Sequence, residues 1–145
     1  MHAFASPFAP RRSSGLANAY RQVGVETEVD AANPHQLITM LYGGLVDSIQ
    51  RARGAMRQGE IADKGAALTR AIRILEEGLR SALDRSAGGA LAEQLDGLYS
   101  YLAHRLLEAN LRNDEAMLDE CLRLVQPLRE AWAAIGPQVL GQPGR

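Results

Sequence analysis

The chain has 145 residues, 46% hydrophobic and 23% charged, with a formal net charge of −1 from 16 basic and 17 acidic groups. That is the length of one domain with enough apolar content for a packed core, and the charge balance excludes a general pull towards nucleic acid or anionic membranes. Aromatics are only 5%, so the core must be mostly Leu, Ile, Val and Ala, and the single cysteine, Cys121, excludes an intrachain disulfide framework and any multi-cysteine metal site.

Residues 1–32 do not read as a packed element. Pro7, Pro10, Ser13, Ser14 and Gly15 break the beginning, and Leu16, Tyr20, Val23 and Val25 form a cluster too sparse to be a core but able to dock on one. Arg11-Arg12 runs into Ser13-Ser14-Gly15, and Met1 is not followed by a basic region and an apolar stretch, so no export leader is read. No apolar run approaches the ~20 residues that span a bilayer. The expectation is a cytoplasmic protein without membrane insertion.

The first strong start signal is Asn33-Pro34-His35-Gln36: an N-cap, a proline at the first helical position, and a glutamine completing a capping box. The helix should run to about Gln58, with Leu37, Leu41, Leu45, Ile49, Ala52 and Met56 as one apolar stripe and Gly59 as the left-handed stop. A second helix is predicted from Ile61 to Leu83, striped by Ile61, Leu68, Ile72, Leu75, Leu79 and Leu83. Residues 84–89 read as a loop. The third helix runs from about Ala90 to Leu111 on Leu91, Leu95, Leu98, Leu102 and Leu106, with Tyr99, Leu107 and Leu111 widening that side. Asn113 is expected to cap a fourth, with Asp114 and Glu115 in its first turn, two apolar rows, a bend at Pro127, and a stop at Gly136-Pro137.

Four helices with short loops predict an all-α fold: an antiparallel up-down-up-down four-helix bundle over 33–136, with an N-terminal arm or short cap helix over 1–32 and a tail over 137–145. Gly43, Gly44, Gly54, Gly65, Gly78 and Gly97 fall inside these helices. Each costs ~1 kcal/mol relative to Ala unless it lets another backbone approach closely, and Gly43-Gly44 is the first place to look for that.

Catalytic signatures do not occur: no phosphate-cradling G-x-x-x-x-G-K-[ST], no G-x-S-x-G, no H-E-x-x-H. A di-iron site in a bundle needs Glu-x-x-His on two helices, and Ala32 and Tyr101 stand three before His35 and His104 instead. His104 and Glu108 share a face but make at most half a metal site, and Cys121 lies in an apolar row as a small core residue. No cofactor, metal or catalytic residue is expected. What remains is apolar surface. Leu37-Ile38, Met40-Leu41, Leu45-Val46 and Leu106-Leu107 place apolar residues at adjacent angles. They give either a thick core or a groove for an amphipathic partner segment, which Leu16, Tyr20 and Val23 could cover while it is empty.

A resemblance sharpens this. Ala19-Tyr20-Arg21-Gln22-Val23, then Asn33-Pro34-His35-Gln36-Leu37 through Leu41-Tyr42-Gly43-Gly44, Lys64-Gly65, Gly88-Gly89, Leu98-Tyr99-Ser100-Tyr101-Leu102 and Ala109-Asn110-Leu111-Arg112-Asn113-Asp114 occur in an order and spacing similar to the flagellar secretion chaperone family, FliS. The similarity runs from Leu16 to Gly136. It implies a helical-bundle chaperone, not an enzyme. Such a protein binds the C-terminal region of newly made flagellin without ATP, keeps it from polymerising and helps deliver it to the flagellar type III export gate. The client would wrap the bundle as an extended chain with short helices, and the amino-terminal segment would fold over part of that surface. A second reading is a helical adaptor for a flagellar regulator such as an anti-sigma factor. The expected partner-binding residues are Leu16, Tyr20 and Val23 in the arm, Met40, Leu41, Tyr42 and Leu45 on the first helix, and Leu98, Tyr99, Leu102 and Leu106 on the third. The chain departs from the family pattern at Gly43 and Ala90, where acidic residues are usual. At Glu60 an aspartate is common, and the change should weaken the second helix's cap.

Overall fold

The computed structural model describes residues 6–8 and 33–136. Helix α1 spans Pro34–Arg57 and opens as its sequence dictates. The Asn33 side chain accepts from the Gln36 N–H, the Gln36 side chain accepts from the Asn33 N–H, and Pro34 takes the first turn. Gly59, at φ 72°, turns the chain out of the helix. Helix α2, Ile61–Arg73, begins without a side-chain cap, as expected of Glu60 in the place of a shorter acid.

The second helix was expected to continue as a regular α-helix to Leu83. It does not. Ile74–Arg80 forms a π segment, and the chain then leaves the helix in a turn at Ser81–Ala82. The buried pairs Ile74-Leu75, Gly78-Leu79 and Ala82-Leu83 recur every four residues. At 3.6 residues per turn each step would rotate such a pair by about 40° off the core-facing line. The wider π turn keeps all three pairs inward.

Helix α3 spans Gly89–Arg112 and helix α4 Glu115–Ile135. Asn113 does not cap α4. It closes α3 in the left-handed conformation (φ 55°, ψ 47°), which asparagine tolerates better than most residues, and Asp114 is the cap, accepting from the Ala116 N–H. Helix α4 carries Pro127 within it and stops at Gly136, φ 79°.

Each rod packs on the next in chain order, and α4 also packs on α1, so the rods enclose one core. Contacts across the rods set their directions. Arg57, at the end of α1, pairs with Glu115 at the start of α4, and His35, at the start of α1, bonds Trp132 near the end of α4. At one end Lys64 reaches from α2 to the Asn110 carbonyl (3.1 Å) and the Asn113 side chain (3.0 Å), capping the last turn of α3 from outside. Gly78 marks the closest approach: a Cβ there would lie 3.0 Å from Leu41 Cδ2, whereas one on Gly43 would meet nothing nearer than Arg129 Nη2 at 3.7 Å. The tight glycine is therefore Gly78 and not Gly43.

Candidate partner-binding surface

The amphipathic stripes of α1 and α3 bury their centres completely. Leu41, Leu45, Leu102 and Leu106 have no solvent exposure, and Tyr42 and Tyr99 join their hydroxyls at 2.5 Å across the interior. Burial pushes the Tyr42 phenol up to about 12 and the Tyr99 phenol well above its ordinary value. Of the eight expected partner-binding residues within the described chain, these six face one another inside the bundle. Only Met40 and Leu98 reach its surface, half-buried. Leu16, Tyr20 and Val23 lie outside the described residues.

Other apolar side chains stand outside instead. Ile61 is 76% exposed and Leu111 78%, with Leu91, Tyr101 and Leu107 also exposed. The sequence placed Ile61, Leu91, Leu107 and Leu111 on inward stripes. Ile61 and Leu111 end up at the first and next-to-last positions of their helices, where a stripe runs past the packed region. Leu107 follows buried Leu106 and is turned about 100° away from it.

On one seam the half-exposed rows face each other. Glu120 of α4 accepts from Tyr101 Oη and from Arg105 Nε (2.8 Å), both on α3, and the Arg105 guanidinium lies 5.9 Å from the Tyr101 ring centre. The Tyr101 bond, and secondarily Arg105, hold the Glu120 carboxyl below its usual range. One turn beyond this contact, in the same direction along both helices, come Leu98 on α3 and Leu124 on α4. The rows continue to Leu91 on one side and to Leu128 and Ile135 on the other. Leu98, Leu124, Leu128 and Ile135 are all partly buried against the core, and Leu91 is exposed. The result is an apolar seam closed at one end by a charged and aromatic clamp.

Between α1 and α2 lies a polar cleft of about 420 Å³ lined by Ser48, Arg51, Gln58, Glu60, Asp63 and Arg70 among others. Arg70 is already engaged there, donating to Ser48 Oγ at 2.8 Å. His104 donates to or accepts from its own helix at Ser100, and Glu108 pairs with Arg112, so the two do not form a common site. Cys121 is buried, its thiol pushed up to about 12 by that burial, which is the state of an inert core residue. Among the described residues no group of three or more His, Cys, Asp or Glu is placed to hold a metal ion, and no helix is long and apolar enough to cross a membrane.

One feature was not read from the sequence. Phe8, 3% exposed, lies edge-on to Trp132, which stacks on His35. The only hint was an aromatic between Pro7 and Pro10, and helical periodicity says nothing about such a stretch.

A helical core with its polar interior atoms satisfied, and with apolar rows left on its outside, defines a protein that works by binding other chains. The sequence pattern of the family described as flagellar protein FliS matches residues 16–139. Flagellar secretion chaperone FliS of Salmonella typhimurium is 44% identical over 133 residues, 92% of this chain and 98% of its own. Flagellar secretion chaperone FliSB of Pseudomonas aeruginosa is 45% identical over 116 residues, 80% of this chain and 91% of its own, and FliS of Escherichia coli 39% over 127, 86% and 93%. The chain belongs to the FliS family, a family of flagellar chaperones and not of enzymes.

Proposed function

We propose that this chain is a cytoplasmic export chaperone. It would bind the C-terminal region of flagellin, prevent its premature polymerisation and aid its delivery to a component of the flagellar type III export gate. Membership of the FliS family over residues 16–139 carries this reading. The scaffold would be an antiparallel up-down-up-down bundle over 33–136, with residues 1–32 as an arm and 137–145 as a tail.

The physical logic is competition. Terminal segments of a filament subunit present apolar faces that self-associate, and a partner covering those faces blocks assembly without chemistry. The seam between α3 and α4 supports the reading, because Leu91, Leu98, Leu124, Leu128 and Ile135 offer apolar rows at the spacing of a helix laid alongside them. The fully buried Leu41, Tyr42, Leu45, Tyr99, Leu102 and Leu106 would serve by fixing the helices that carry the rows. Met40 would extend the surface on α1. Coupled folding of a client segment loses ~2–5 kcal/mol of gross interaction energy to ordering, which keeps the complex releasable at the gate.

The test is capture of flagellin with and without its C-terminal region by the purified chain. Retention of the intact subunit and loss of the truncated one is the expected result. Equal capture of both, or of neither, would overturn the reading. Capture of a flagellar regulator with no flagellin would favour the adaptor.

A further inference from the structure

Ser6-Pro7-Phe8 lies against the end of the bundle as an extended strand. Phe8 forms an antiparallel bridge with Leu83, the Asp84 N–H donates to the Pro7 carbonyl at 2.7 Å, and the Phe8 N–H donates to Ser6 Oγ at 3.1 Å. The floor is shaped for a backbone. A Cβ on Gly88 would lie 3.0 Å from Pro7 Cα, so only glycine leaves room for the strand.

The side chain has a built receptor. The Phe8 ring meets the Trp132 ring edge-on, centres 5.3 Å apart at 78°. Trp132 is held from behind by His35, stacked at 4.8 Å and 16°. The two exchange bonds with each other's backbone, His35 Nε2 donating to the Trp132 carbonyl (2.9 Å) and Trp132 Nε1 donating to the His35 carbonyl (3.1 Å). Both ring N–H groups are thus committed, and the Trp132 face and edge are left for an aromatic guest.

We propose that the groove between the Leu83–Gly88 connection and Trp132 is a docking site for an extended, aromatic-bearing peptide segment. Ser6–Phe8 is its occupant in cis, and a partner segment of the same chemistry enters by displacing it. The features of the site are those of strand addition: backbone bonds give a sequence-tolerant grip and one ring pocket gives the preference. Ser6–Phe8 precede residues 16–139, so the occupant is this chain's own extension of the family pattern. The inference stands on these contacts and not on the identity of any client.

Trp132 is the chain's sole tryptophan and reports the site directly. In the full-length chain, Phe8→Ala should shift its emission to longer wavelength and raise its quenching by acrylamide, with helix content unchanged. Phe8→Leu, which keeps apolar burial, should give a smaller shift in the same direction. Adding a peptide of residues 3–10 in trans to the Phe8→Ala chain should reverse the shift. The same peptide with alanine in place of the phenylalanine should not. Unchanged Trp132 emission in both variants would overturn the proposal, because the strand would then not be seated. A shift that excess phenylalanine peptide fails to reverse, or that both peptides reverse equally, would overturn it as well.

Discussion

At the scale of single residues, the Tyr42–Tyr99 pair shows how a polar contact is tolerated in a small-residue core. Each phenol satisfies the other, and no buried side-chain polar atom among the described residues lacks a partner. Removing one hydroxyl strands its mate away from water. Tyr42→Phe or Tyr99→Phe should therefore cost about 1–3 kcal/mol each, while the double replacement should cost less than the two added, since it leaves no orphan. Urea unfolding of the four proteins measures this. The pH dependence follows from the raised phenol values. Folding holds protons that the unfolded chain releases near pH 10, so stability from the pair is intact below pH 10 and is lost as pH rises through about 12. The double phenylalanine variant should lose stability less steeply over that alkaline window. Equal slopes would show that the pair is not the group that titrates.

At the scale of elements, the interior glycines separate into two kinds. Gly78 sits in the π segment against fully buried Leu41, and Gly54 in α1 has nothing within 4 Å of where a Cβ would stand. Gly78→Ala should destabilise by about 1–3 kcal/mol, as overpacking does. Leu41→Val, which trims the atoms in the way, should cost less in that background than in the parent chain. Gly54→Ala should instead stabilise by about 0.5–1 kcal/mol, because it removes backbone freedom from the unfolded chain and obstructs nothing. Thermal melts of these variants give the signs directly. The same comparison shows what could be read in advance. The four helices, their caps at Asn33 and their stops at Gly59 and Gly136 are local signals and were legible. The π segment was not, because a repeat of four is close enough to 3.6 over one or two turns that only packing decides between them. Nor could the stripe of Leu41, Leu45, Leu102 and Leu106 be told from a groove. Periodicity marks an apolar face without saying whether the chain or a partner covers it. Phe8 and Trp132 are far apart in sequence, and no pattern within either segment announces the other.

At the scale of the whole molecule, charge and apolar surface are divided between separate tasks. The ion pairs that join rods, Arg53–Asp119 and Arg57–Glu115 between α1 and α4, Arg80–Asp96 between the π segment and α3, and Arg105–Glu120 between α3 and α4, all lie on the partly exposed exterior. Pairs of that kind contribute a median of ~0–1 kcal/mol and are screened by salt, so they orient the helices more than they hold them together. The rows between α3 and α4 are apolar and carry no fixed charge beyond the clamp at Glu120. If they bind the flagellin segment, association should follow buried apolar area and be nearly indifferent to ionic strength. Calorimetric titration of the chain with a flagellin C-terminal peptide should show affinity changing by well under tenfold from low to moderate salt, because screening over about 10 Å removes only long-range steering. Leu91→Ser together with Leu128→Ser should weaken the same titration while leaving helix content unchanged. A steep fall in affinity with salt, or full affinity in the double serine variant, would place the contact on a charged face and remove the seam from the mechanism.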